Sequence, residues 1–143
     1  MGDRLVGAVG TLLVLSGGLV LSGCGSQGGG ELVVTYAAAD GSSQSVTVPV
    51  EEPRCTVLAG TSLLRAPSGD AVITAMPVHG SPEKWTLSVA IGDGMTFVSD
   101  GSFDADESGF TVDELSGVVT ATESDGTTTG ISADAHVSGR FEC

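Results

Sequence analysis

Apolar and polar residues alternate in short runs along most of the chain, and this pattern predicts β-strands. The clearest run ends the chain, and its apolar face is formed by Ile131, Ala133, Ala135, Val137, Phe141 and Cys143. A period of two places one face of a strand on a core and the other face in water. Because the 13 residues of 131–143 would make a long strand, Gly139 is predicted to mark a bulge or bend.

The same alternation predicts strands over most of the remaining chain. It occurs at 46–50, 85–91 and 119–122, and shorter runs lie at 32–36, 61–65, 71–76, 95–98 and 110–112. Asp-Gly pairs at 40–41, 93–94, 100–101 and 125–126 are typical of hairpin turns, which need a positive φ at their central residues. We therefore expect an all-β fold, a small antiparallel β-sandwich or open barrel of about eight strands, with helix limited to a turn or two.

The N-terminal segment has the pattern of a sorting signal. Residues 5–21 carry no charge and follow Arg4, as an apolar signal segment follows a basic one. The run ends in Leu21-Ser22-Gly23-Cys24, which resembles the bacterial lipobox and predicts cleavage between Gly23 and Cys24 with acylation of the Cys24 thiol. Ordinary secretion or an uncleaved membrane helix is the alternative, because about 17 apolar residues can just span a bilayer.

Cleavage at this point divides the chain into three parts. These are a lipoprotein signal peptide (1–23), a lipidated cysteine with a flexible Gly/Ser hinge (24–30) and a single β domain (31–143). Two or three acyl chains anchor a protein stably in a bilayer. The expected location is therefore the extracytoplasmic face of the cell membrane, with the lipid bilayer itself as a partner.

Cysteine usage adds a covalent constraint to the β domain. With Cys24 assigned to lipid, only Cys55 and Cys143 remain. Two cysteines in an exported domain most simply form a disulfide bond, and two unpaired thiols are the alternative.

The charge of the chain excludes one class of partner. Lys and Arg total 5 against 18 Asp and Glu, which gives a formal net charge of -13. Nucleic acid is therefore not expected as a partner, because phosphate binding needs clustered basic residues. The 41% hydrophobic content also argues against a disordered acidic tail.

One acidic stretch resembles part of a calcium site. Asp104-Ala-Asp106-Glu-Ser-Gly matches the first half of an EF-hand loop, but the position that needs the bidentate Glu holds Leu115, and Glu114 comes one residue early. In a tight loop this offset turns the carboxylate away from the ion. A solvated turn between strands is expected instead.

Other candidates for chemistry are equally incomplete. Ser81-Pro-Glu-Lys84 matches the S-x-x-K string of penicillin-recognising enzymes, but its prolines predict a loop and no partner motif follows. His79 and His136 are the only imidazoles, too few for a zinc or copper cluster, and both are expected at the surface. Trp85 is expected to anchor the core. We therefore expect no catalytic residues, no metal site, no cofactor and no enzymatic activity.

The whole layout resembles the LpqH-type lipoprotein antigens of mycobacteria and related actinobacteria. The similarity lies in the lipobox at Cys24, a Val-rich hairpin leading to Cys55, the stretch G-F-T-V-D-E-L-S-G-V-V-T-A-T at 109–122, and the ending V-S-G-R-F-E-C at Cys143. The hinge is shorter than is usual in that family, and only Ser26 within it could carry O-linked sugar. The resemblance implies a surface-exposed lipoprotein without known catalysis, whose acylated N-terminus is a ligand for host lipopeptide receptors, with an adhesin role proposed.

These observations together favour a non-enzymatic cell-envelope lipoprotein, acting as a surface antigen or interaction module. Two alternatives remain open, a carrier of lipid or another small ligand, and an acidic inhibitor of a basic envelope hydrolase. The carrier needs a cavity, and the inhibitor would rely on electrostatic attraction. The sequence names no specific ligand or protein partner.

Overall fold

The computed structural model describes residues 28–69 and 71–143. The predicted signal peptide, Cys24 and residues 25–27 of the predicted hinge lie outside the described residues. Every regular element in the described part is a β-strand. The strands are β1 (Gly30–Ala37), β2 (Ser43–Pro49), β3 (Arg54–Leu58), β4 (Thr61–Ser68), β5 (Ala71–Val78), β6 (Ser81–Gly92), β7 (Met95–Ser99), β8 (Phe103–Asp104), β9 (Gly109–Thr122) and β10 (Thr128–Glu142).

The strands form one antiparallel sheet that curls into an open half-barrel. Its order is β2-β1-β10-β9-β7-β6-β5-β4-β3, and β8 pairs with β6 beside this path. Most neighbours are successive in the chain, so hairpin turns connect them. The exceptions are the pairings of β7 with β9 and of β6 with β8, and the pairing of β1 with β10, which brings the first and last strands side by side. The prediction of an all-β, open barrel-like fold is confirmed.

The concave face of the sheet forms the core. Along β1 and β6, alternate side chains such as Leu32, Val34, Leu87 and Val89 are fully buried, and the residues between them are partly exposed. The predicted period of two is therefore the pattern that closes the core. Each large apolar side chain removed from water contributes about 1.5–3 kcal/mol.

Several aromatic side chains belong to this core. Trp85 is 2% exposed, as expected for an anchor residue. Phe110 lies between two other rings, edge-on to Phe103 with centroids 5.0 Å apart and stacked on Phe141 at 5.5 Å. These contacts tie the short strand β8 to the long strands β9 and β10.

The predicted alternation is wrong over part of the last strand. Ser132 is buried and Ala133 is exposed, the reverse of the expected facing, and Cys143 is exposed as well. The cause is a series of register shifts against β9 between Gly130 and Ala135. Each extra residue reverses which side chains face the core, so a bulge breaks the sequence pattern. The predicted irregularity at Gly139 is confirmed by a further shift there.

Three further expectations need correction. The runs at 110–112 and 119–122 belong to one strand, β9, with an irregularity at 113–114 where Glu114 has a φ of 48°. Strand β3 was not predicted, because its side chains are mostly exposed and carry no alternation. The segment from Ser81 to Lys84 begins strand β6 and is not a loop.

Glycine is required where the backbones of β1, β10 and β9 approach most closely. Gly139 has a φ of 139°, and a Cβ there would collide with the backbone oxygen of Glu31. Gly109 has a φ of 135° and meets the backbone oxygen of Phe141 in the same way. A side chain at either position must therefore move a neighbouring strand.

Replacing Gly139 by alanine should lower the free energy of unfolding by about 2–4 kcal/mol, because backbone strain and a backbone collision are added together. Gly130→Ala is the matched control on the same strand, because its Cβ would meet nothing within 4 Å. Urea unfolding of both variants measures the difference. Equal midpoints for the two variants would show that the strands do not approach as described.

Candidate functional site

The residues before β1, strand β3 and the residue after β10 are linked at one end of the half-barrel. Cys55 on β3 is disulfide-bonded to Cys143, with Cα atoms 6.0 Å apart. The amide of Cys143 donates to the Ser108 carbonyl at 3.0 Å, and the amide of Glu142 donates to the Gly29 carbonyl at 2.8 Å. These bonds thus hold Gly29, Cys143 and strand β3 close together.

A groove lies beside this fastening, and we call it the junction groove. Its volume is about 520 Å3, and it is lined by Gly28, Val50, Glu51, Glu52, Pro67 and Gly69. Both glutamates are exposed. Their carboxylates give the groove a negative character at neutral pH.

Asp106 lies beside a turn that connects β8 and β9, and the expectation of a turn in this acidic stretch is confirmed. The hydroxyl and the amide of Ser108 both donate to the Asp106 carboxylate. These bonds stabilise the charged form, so the pKa of Asp106 lies below its ordinary value. The carboxylate is therefore satisfied within its own turn, and 106–109 serves to connect β8 and β9.

The neighbouring Asp104 is occupied by a different partner. It accepts a hydrogen bond of 2.8 Å from the Lys84 ammonium group, and this contact raises the pKa of Lys84 above its ordinary value. Both side chains are well exposed, so the pair adds little stability. Among the described residues, no group of three or more His, Cys, Asp and Glu side chains is placed to hold a metal ion.

The remaining candidates for chemistry lie apart from one another. Lys84 has turned toward Asp104, and nothing described directs its ammonium group at Ser81. His79 lies in the turn between β5 and β6, exposed as predicted. His136 is only half-exposed, on the outer side of β10, with its Nε2 3.3 Å from the Asp134 carboxylate. The structure does not bring these side chains into one site.

The interior bears on the carrier alternative. The concave face is packed with side chains. One apolar groove has a volume of about 350 Å3 and lies where β9 and β10 shift register. Its lining includes Val118, Ile131 and Ala133. A lipid carrier would have to hold its ligand in an open groove of this kind or displace packed side chains.

Sequence reasoning missed the junction groove and strand β3. The groove joins residues 50–52 to Pro67 and Gly69 at the end of β4. Strand β3 and most of β4 separate these residues in the sequence, and no local pattern indicates that contact. A positive φ of 46° at Glu52 marks the sharp bend that leads from β2 toward β3. The Pro53 that follows is the only sequence signal of this bend.

Comparison of the chain with protein-family models, curated proteins and solved structures gave no significant match. Within residues 28–69 and 71–143 there is no helix long and apolar enough to cross a membrane.

Replacing both Cys55 and Cys143 by serine should lower the free energy of unfolding by roughly 4–5 kcal/mol, as the chain-entropy relation gives for this loop. The bond joins residues 88 apart in the sequence, so its loss frees a long loop in the unfolded state. Ser62→Ala, which removes only an exposed hydrogen bond to Glu107, is the control. Unfolding in denaturant measures both variants, and an unchanged midpoint for the double variant would contradict the constraint.

Proposed function

We propose that this chain is a non-enzymatic cell-envelope lipoprotein, held on the extracytoplasmic face of the membrane by an acylated Cys24. Its β domain would serve as a surface antigen or interaction module. The observation that carries the proposal is the string Leu21-Ser22-Gly23-Cys24 after an uncharged apolar run. The resemblance to the LpqH-type antigens points the same way, and it extends the proposal to host lipopeptide receptors as partners of the acylated N-terminus.

The geometry of the domain is compatible with such a tether. Only three residues separate Cys24 from Gly28, so an extended connection spans at most about 14 Å. Gly28 lines the junction groove. The carbonyl of the following Gly29 accepts a hydrogen bond from the amide of Glu142 at the end of β10. An acylated Cys24 would therefore hold this end of the half-barrel close to the bilayer.

The acidic character of that end has a consequence for orientation. Glu51 and Glu52 are exposed and line the groove. Anionic lipid headgroups repel such charges within about 10 Å at ordinary ionic strength. The domain would therefore stand on its tether and leave the sheet faces accessible.

The proposal contains no catalytic step, and no catalytic residue is assigned to it. The described core gives no positive support to the carrier alternative, because it is packed with side chains. The inhibitor alternative retains the net charge of -13 as its support. It requires binding to basic hydrolases that weakens steeply as salt is raised.

Metabolic labelling with a fatty-acid analogue tests the tether. The wild-type protein should carry the label, and Cys24→Ala should abolish it because the thiol is the atom that accepts the lipid. Ser26→Ala, two residues further along, should leave labelling unchanged. Label that persists in Cys24→Ala would remove the basis of the proposed function.

A further inference from the structure

The two edges of the sheet differ in how they are protected. Strand β3, at one edge, begins at Arg54 and is fastened by the disulfide at Cys55. Strand β2, at the other edge, has a partner only on the side of β1. An unprotected edge strand offers unpaired backbone groups, and proteins usually block such edges with charge, bulges or proline.

The register of β2 shows which backbone groups are free. The Ala38 amide donates to the Ser42 carbonyl at 2.8 Å, and the Val50 amide donates to the Gly30 carbonyl at 2.9 Å. Both pairs fit one continuous register with β1, in which hydrogen-bonded pairs alternate with non-bonded ones. The residues that direct their backbone groups away from β1 are therefore Ser43, Ser45, Thr47 and Pro49.

Pro49 fits this assignment, because proline in a sheet is confined to positions where no amide is needed. The amides and carbonyls of the other three residues have no backbone partner among the hydrogen bonds of the described chain. All three residues are exposed, so no other segment within 28–69 and 71–143 covers them. We call these three residues the open edge.

Charge around the open edge favours one kind of partner. The ten residues 41–50 contain no charged side chain, although the chain is strongly acidic. Asp40 precedes this stretch, and Glu51 and Glu52 follow it, all three exposed. Arg140 lies two strands away and is 3.6 Å from Glu142. The edge is thus neutral in its middle and negative at both ends.

We propose that the open edge binds an extended polypeptide segment by strand addition, with uncharged residues in the middle of the segment and lysine or arginine near each end. Backbone hydrogen bonds to Ser43, Ser45 and Thr47 would supply affinity, and the terminal charges would meet Asp40 and Glu51–Glu52. A second copy of this chain is disfavoured as the occupant, because its own β2 would bring the same acidic ends. This inference goes beyond the proposed function and does not depend on acylation of Cys24.

The experiment uses the protein purified from its host and a nine-residue peptide, with lysine at each end and alternating threonine and valine between them. Amide hydrogen exchange at Ser43, Ser45 and Thr47 should slow at least about tenfold when the peptide is bound. Two control peptides are N-methylated on every second residue, one on the odd-numbered residues and one on the even-numbered residues. The control peptide whose methyl groups block the amides that pair with β2 should give no protection. A third peptide with glutamate in place of lysine should bind several-fold more weakly, and the difference should shrink in high salt.

A protein variant gives an independent arm. Ser45→Pro removes an amide that β1 does not use, so the fold should be retained, as a thermal unfolding curve can verify. Peptide protection at Ser43 and Thr47 should be lost in this variant and kept in Ser45→Thr. The proposal would be overturned if the amides stayed protected in both Ser45→Pro and the N-methylation controls. It would also be overturned if millimolar peptide gave no amide protection in the wild-type protein. Concentration-dependent dimerisation that Ser45→Pro abolishes would assign the edge to a second copy, and would also overturn the proposal.

Discussion

The disulfide bond between Cys55 and Cys143 is the constraint on which the arrangement of this domain depends. Strand β3 has hydrogen-bonding partners on one side only, and its side chains are mostly exposed, so apolar burial holds it weakly. The bond joins that strand to the residue after β10, which itself lies between β1 and β9. This disulfide bond thus connects the edge strand β3 with the end of β10 and helps to hold the curved sheet around its core. The other edge strand, β2, contains no cysteine and has no such bond.

This asymmetry gives a physical form to the idea of an interaction domain. The core of the described residues is packed with side chains, and the structure does not bring the candidate reactive side chains into one site. A strand edge needs neither a cavity nor a set of reactive side chains, because it binds through backbone groups and takes its selectivity from nearby side chains. Under the proposed tether, the sheet would stand above the bilayer with the edge accessible from the side. The acidic surface would then discourage self-association and attract basic segments.

Much of the fold could be predicted from the sequence, because most strands bury one face and so show a period of two. The turns at 40–41, 93–94 and 125–126 were equally evident, since Asp-Gly supplies the required backbone conformations. The failures have specific causes. Bulges in β10 reversed the facing of Ser132 and Ala133, and β3 carries no alternation because it is exposed. The open edge could not be predicted, because strand order depends on the distant pairing of β1 with β10. The pairing of Cys55 with Cys143 could be predicted only by first assigning Cys24, the third cysteine, to lipid.

The account joins a lipid tether at one cysteine to a disulfide-closed β domain, and the mass of the protein isolated from its host membranes tests both together. The account predicts a chain that begins at Cys24, carries the mass of a diacylglyceryl group with or without a further acyl chain, and gives one disulfide-linked peptide pair containing Cys55 and Cys143. A chain that retains Met1, or free thiols at positions 55 and 143, would contradict it.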